Sequence, residues 1–244
     1  MVRAGHVMLE VIDKGSSSEY HSVPLLFVHG AEHAAWCWDE HFLNYFADRG
    51  YRAVAMSLRG HGGSTASKPS WAWSIADYVQ DVRSVADRLP LPPVVIGHSL
   101  GGFVVQKYLE SYAAPAAVLI ASAPPQGAAG AILRNAKALL GNMTRHPGHM
   151  TGDVDDLQRV RSTFFSPATP ETWVARYAQR LRKEPMGKFA LDMLVLNLPK
   201  PSQVRTPVLV LGAQCDSCVT HTKYEPPRAP TAPEPRSSPT WATT

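Results

Sequence analysis

Residues 97–101 read Gly-His-Ser-Leu-Gly, a serine between two glycines at G-x-S-x-G spacing, directly after the apolar run PPVVI and directly before an amphipathic stretch that begins at Leu100. A serine on so tight a strand-to-helix turn is forced into a strained backbone conformation. Glycines flank it because a side chain at either position would collide with the neighbouring strand or helix. The turn lifts the Ser99 hydroxyl above the sheet, and the N-terminus of the following helix favours negative charge developing on a substrate oxygen. The chemistry that suits this arrangement is nucleophilic attack by Ser99. A serine hydroxyl is a weak nucleophile near neutral pH, so it needs a base to take its proton and an acid to hold that base in the right tautomer.

Such a turn has to be carried by a regular scaffold. Short β-rich apolar runs, HVMLEVID, PLLFVHG, YRAVAMSL, PPVVIGHS, PAAVLIAS and TPVLVLGA, alternate with DEHFLNYFADRG, SIADYVQDVRSVADRL and LGGFVVQKYLESYA, where apolar residues recur at three- and four-residue spacing. This pattern predicts an α/β fold, a mostly parallel sheet with crossover helices on both faces. The alternation stops after PAAVLIASAPP and resumes only at Pro207. The helical pattern in between, through AGAILRNAKALLGNMTR, TPETWVARYAQRLRKEP and MGKFALDMLVLN, predicts a helical lid insertion at about 125–203, with RHPGHMTGDVDD as a loop inside it. One α/β domain is expected over 1–216. The segment 217–244 is dense in proline, loses apolar periodicity and is expected to be disordered.

Three separate motifs in this order resemble the α/β-hydrolase superfamily over roughly residues 7–216. FVHGAEHAAWCW is similar to the family's HG oxyanion loop, LRGHGGS to its R-G-H-G-x-S turn, with Ser57 where many relatives carry Asp, and GHSLGG to the elbow of esterases, lipases and related acyl hydrolases. The resemblance implies a cofactor-free serine hydrolase acting on an ester or related acyl bond of a small-molecule substrate. It further implies an oxyanion hole made by the backbone amides of Ala31 and Leu100, and a structural role for His29. Trp36 and Trp38 are expected to pack rather than touch substrate.

The family order is serine, acid, histidine, and Asp216, just past TPVLVLGA, stands where the family places its acid. The histidine is missing from its expected place. His221 is the only one after Asp216, five positions on, with neither a strand nor a glycine before it. His61 and His98 belong to family turns, and His146 and His149 to the insertion loop. A tail translated in a shifted frame accounts for this. Joining the third base of each codon to the first two of the next turns Trp241 and Ala242 into a glycine codon, and Asp-Met-Gly-His-Asp is an allowed reading of residues 239–244. The shift also removes the proline bias. Without that shift, the chain is expected to lack the last strand and helix, to leave TPVLVLGA as a sheet edge, and to be a weak or inactive esterase.

Other signals carry less chemistry. Cys215 and Cys218 make a C-x-x-C without a second Cys/His pair at zinc spacing. Asp153, Asp155 and Asp156 lack the glycine and closing glutamate of a calcium loop and suit a helix start. Neither a dinucleotide nor a nucleotide-phosphate motif occurs. With 244 residues, 45% of them hydrophobic, one substantial core is expected. The net charge of +4 is scattered and interleaved with acids, as in ARYAQRLRKEP, which argues against nucleic acid. No run approaches the ~18 apolar residues of a membrane span. Three cysteines without framework spacing and the absence of a signal-like N-terminus make the cytoplasm the expected compartment.

Overall fold

The computed structural model describes residues 1–127, 156–184 and 187–212. Among these, strands β3 (Val11–Lys14), β4 (Leu25–Val28), β5 (Ala53–Met56), β6 (Val94–His98), β7 (Ala117–Ile120) and β8 (Val208–Leu211) form one sheet in the order β3-β5-β4-β6-β7-β8. Every neighbouring pair is parallel except β3 with β5. Strands β1 (Val2–Ala4) and β2 (Val7–Leu9) form a separate antiparallel pair.

The apolar runs are continuous because the sheet is covered on both faces. Successive side chains point to opposite sides. Leu26, Val28, Val54, Met56 and Val95 meet α3 (Ile75–Ala86) and α4 (Leu100–Leu109), which supply Ile75, Tyr78, Val82, Phe103 and Val104. Leu25, Phe27, Ala53, Ala55 and Ile96 face the other way, onto Trp38 of α1 (Trp36–Asp39) and Leu43 of α2 (Phe42–Ala47). Each large side chain so buried contributes ~1.5–3 kcal/mol relative to exposure. Helix α3 starts in a capping box, the Ser74 hydroxyl accepting from the Asp77 amide at 3.2 Å and the Asp77 carboxylate from the Ser74 amide at 2.9 Å.

Two expected elements are divided. HVMLEVID is not one strand, because the chain bends at Glu10: its amide donates to Ser64 Oγ at 2.8 Å and its carboxylate turns onto Ser57, so β2 and β3 fall in different sheets. DEHFLNYFADRG contributes to two short helices rather than one. Between β7 and β8, the described part of the insertion holds α5 (Asp156–Phe164), α6 (Glu171–Ala178) and α7 (Lys188–Leu191), the last continuing as a π-helical turn over Asp192–Leu196. The helix in TPETWVARYAQRLRKEP stops at Ala178. Beyond it, the Arg182 amide is used on the carbonyl of Glu32 at 3.0 Å instead of on its own turn. AGAILRNAKALLGNMTR and nearly all of RHPGHMTGDVDD lie outside the described residues, as does everything after Gly212. Among the described residues β8 is a sheet edge, with Leu209 and Leu211 exposed, and no helix is long and apolar enough to cross a membrane.

Candidate active site

Ser99 stands between β6 and α4 with φ 50° and ψ −114°, a positive-φ conformation that side chains rarely adopt, and its hydroxyl makes no capping hydrogen bond to the helix. Backbone hydrogen bonds fix the residue on both sides. The Ser99 amide donates to Ile120 O at 3.1 Å, and its carbonyl accepts from Phe103 at 3.1 Å and Ala123 at 3.2 Å. The flanking glycines are required by contact. A Cβ on Gly97 would lie 2.5 Å from Gly101 O and 2.7 Å from Gly102 Cα, and one on Gly101 would run into the carbonyl oxygens of Val28 and His29. Strand, turn and helix are thus closer than any side chain permits.

The HG loop passes directly beside this turn. A Cβ on Gly30 would sit 2.7 Å from His98 Nδ1 and 3.2 Å from Ser99 Cβ, so the peptide leading into Ala31 runs alongside Ser99. Leu100 occupies the first turn of α4, where backbone amides have no partner within the helix. His29 is fully buried. Its Nε2 accepts from the Leu58 amide at 3.0 Å, which leaves Nδ1 to donate to Gly30 O at 2.8 Å. Burial, then the neighbouring His61, hold its pKa well below the ordinary histidine value, so it is a neutral strut between the HG loop and the end of β5.

The R-G-H-G turn is anchored just as firmly. The buried Arg59 guanidinium donates to Asp81 through Nη2 at 2.6 Å and Nε at 3.0 Å, and to Asp77 through Nη1 at 3.0 Å. Ser57 donates to Glu10 Oε2 at 2.5 Å and accepts from the Ala35 amide at 2.9 Å. Glu10 also accepts from the Gly63 amide at 3.1 Å, so it brings to this turn the carboxylate that position 57 lacks.

His61 donates from Nδ1 to Arg59 O at 3.0 Å and from Nε2 to Glu184 Oε2 at 2.9 Å, and an imidazole donating from both nitrogens is an imidazolium. Burial opposes that charge, but the hydrogen bond and charge of Glu184 outweigh it and hold the His61 pKa above its ordinary 6.5. Burial likewise opposes the Glu184 charge, and the hydrogen bond and charge of His61 overcome it, holding Glu184 below its ordinary 4.5. A histidine whose pKa is raised on folding contributes stability that is full below its unfolded value and lost as pH rises through the folded one. A carboxylate whose pKa is depressed contributes stability that is full above its unfolded value and lost as pH falls through the folded one. The pair therefore stabilises most between 4.5 and 6.5. The urea midpoint of the wild-type chain is expected to exceed that of Glu184→Gln most at about pH 5.5, with the gap narrowing by about pH 9. A gap independent of pH would contradict this assignment.

Trp38 packs as expected, 4% exposed and 5.1 Å from the Phe27 ring. Trp36 does more than pack within the core. It stacks on Tyr177 at 6.0 Å, lies under the Arg180 guanidinium, and lines a cleft of about 490 Å³ with His33, Phe165, Trp173, Tyr177 and Leu181. Burial pushes the nearby Cys37 thiol up to about 12, which leaves it unreactive at neutral pH. Ser99, Ala31 and Leu100 are brought together by the fold, whereas Asp216, His221 and the Cys215–Cys218 pair lie outside the described residues. The motifs assign no role to Glu10, Glu32 or Glu184. Glu10 lies in the strand-like run HVMLEVID, Glu32 in the HG-loop segment FVHGAEHAAWCW and Glu184 in the charge-rich end of the insertion, and no local pattern sets any of them apart.

The model of the alpha/beta hydrolase family matches residues 25–239. A non-heme chloroperoxidase of Streptomyces lividans is 37% identical over 107 residues, 42% of this chain and 38% of that protein, and Methylesterase 18 of Arabidopsis thaliana is 34% identical over 87 residues, 35% of this chain and 31% of that protein. These matches span less than half the length of the curated relatives. Among solved structures, an esterase from Exiguobacterium antarcticum superposes with a TM-score of 0.66 at 20% identity, covering 89% of this chain and 81% of that one. A strained serine elbow, an HG loop packed against it, the observed strand order and the match over most of the sequence agree: the chain belongs to the alpha/beta hydrolase family.

Proposed function

We propose that this chain is a serine hydrolase of an ester or related acyl bond. The observation that carries the reading is Ser99 itself, held at φ 50° on the strand-to-helix turn with Gly30 in contact range. Ser99 Oγ adds to the substrate carbonyl, the amides of Ala31 and Leu100 hold the resulting oxyanion, and the leaving alcohol takes the proton. Water then cleaves the acyl-serine ester. Asp216 would orient a base that carries the Ser99 proton, a role for which no histidine stands at the family's place. The β7–β8 insertion, with its aromatic cleft, acts as a lid that shapes the substrate pocket. The name of the chloroperoxidase relative favours a second fate for the same acyl-enzyme. Hydrogen peroxide in place of water would release a peracid, read as a peroxide-dependent bromide oxidation that Ser99→Ala abolishes.

The competing reading is an impaired hydrolase that only binds small apolar ligands, favoured by the absence of a histidine at the family's position after Asp216. Triad deletions cost on the order of 10⁶ in turnover in a well-studied serine protease. A fluorophosphonate probe separates the two. Covalent labelling of purified protein that is lost in Ser99→Ala is the expected result, and a folded sample that stays unlabelled would sink the enzyme reading.

A further inference from the structure

The loop that carries the Ala31 amide is held from outside the sheet. Glu32, the next residue, has φ 64°, a left-handed conformation that a residue with a Cβ keeps only where its surroundings enforce it. All three of its polar groups are engaged by the β7–β8 insertion. Its amide donates to Glu184 Oε2 at 2.9 Å, and its carbonyl accepts from the Arg182 amide at 3.0 Å. Its carboxylate takes a two-pronged hydrogen bond from Arg159 of α5, Nη1 to Oε1 at 2.9 Å and Nη2 to Oε2 at 3.0 Å.

The holding groups are themselves fixed. The side chain of Glu184 is 9% exposed and accepts from His61 at 2.9 Å and from Tyr78 Oη at 3.2 Å, which ties it to the R-G-H-G turn and to α3. In the same loop, the Ala31 carbonyl accepts from His33 Nδ1 at 2.7 Å, and the His33 ring meets Phe164 of α5 edge-on at 5.2 Å. A planar guanidinium gripping a carboxylate with two parallel bonds fixes orientation as well as distance.

We propose that the insertion is a positioning element for catalysis: Glu184, Arg159 and the Arg182 amide clamp Glu32 in its left-handed conformation and so aim the Ala31 amide at the oxyanion. This rests on the reading of Ser99 as nucleophile. An oxyanion donor acts only when it is aligned within a few tenths of an ångström, and losing one costs ~10²–10³ in rate. Loosening the clamp should therefore slow the chemical step while leaving ground-state binding in place.

The test uses the full chain and three variants, Arg159→Met, Arg159→Lys and Glu184→Gln. Two readouts are needed. Amide exchange of segment 29–34, monitored by mass spectrometry, should be at least about tenfold faster in Arg159→Met than in wild type, with an unchanged melting temperature. The inactivation rate constant of Ser99 with a fluorophosphonate should fall at least about tenfold in Arg159→Met and Glu184→Gln, with the probe's binding constant within about twofold. Arg159→Lys, which keeps the charge but not the two-pronged geometry, should recover only part of the rate. Wild-type inactivation rates in both variants, or unchanged exchange of 29–34, would overturn the proposal. A wild-type chain that is never labelled removes the nucleophile reading instead, and exchange alone then decides whether the insertion holds the loop.

Discussion

Replacing Arg59 by methionine is expected to lower folding stability by about 3–5 kcal/mol, the range for removing one partner of a buried ion pair. The loss comes from what is left behind. Asp81 has no exposed surface, and its two oxygens accept from Arg59 Nη2 at 2.6 Å, from Nε at 3.0 Å and from the Arg59 amide at 3.0 Å. Methionine fills most of the volume but gives the carboxylate no donor beyond that one amide. Burial already pushes the Asp81 pKa above its ordinary value even with Arg59 present, so the variant should take up a proton there instead of keeping a bare charge. Because the same guanidinium grips Asp77 in the α3 capping box, the start of that helix should loosen as well. The double variant Arg59→Met/Asp81→Leu should recover part of the loss, since removing both charges leaves nothing ionic buried. Recovery stays partial, because the Arg59 position's amide then loses its acceptor. Urea midpoints of the three proteins check this, and a single variant within about 1 kcal/mol of wild type would contradict it.

Replacing Gly101 by alanine is expected to cost at least about 3 kcal/mol and to abolish Ser99 reactivity. One methyl group in a well-packed interior typically costs ~1–3 kcal/mol when side chains can give way. Here nothing can: the added carbon would overlap the backbone oxygens of Val28 and His29, which belong to the central strand and the HG loop. Relief requires moving α4 away from β4, which unmakes the turn that holds Ser99 beside Gly30. Gly5→Ala is the matched control. It has φ +61° and nothing within 4 Å of the new carbon, so it bears only the backbone cost of ~1 kcal/mol. Comparable midpoints for the two variants would show that contact at the elbow is not what demands glycine.

Local sequence carried most of the scaffold and the elbow. Continuous apolar runs bounded by turn residues mark strands buried on both faces, and those of β4 to β8 form the sheet in the manner expected. The misread segments are those where a long-range polar contact overrides local pattern. HVMLEVID alternates well enough to be one strand, yet Ser57 and Ser64, about fifty residues away, divide it at Glu10. ARYAQRLRKEP reads as helical insertion with interleaved charges, but the helix stops at Ala178 and Glu184 is buried against His61, Tyr78 and the Glu32 amide. No periodicity signals such a residue, because its partners lie on three other segments.

By itself, the sequence determined the strained serine turn at Ser99 and, through its motifs, the alpha/beta hydrolase family. The G-x-S-x-G spacing and the switch from strand to helix period are local signals of the backbone turned to positive φ at Ser99. Glycine at 97 answers to its own turn, whereas glycine at 101 answers to the carbonyls of Val28 and His29 on the neighbouring strand. Only the tertiary structure decided what holds the HG loop beside that serine. A left-handed Glu32 is stable through contacts with Arg159, Arg182 and Glu184, more than 120 residues further along the chain. Contacts of that separation come from how the insertion packs on the sheet, which local propensity does not encode.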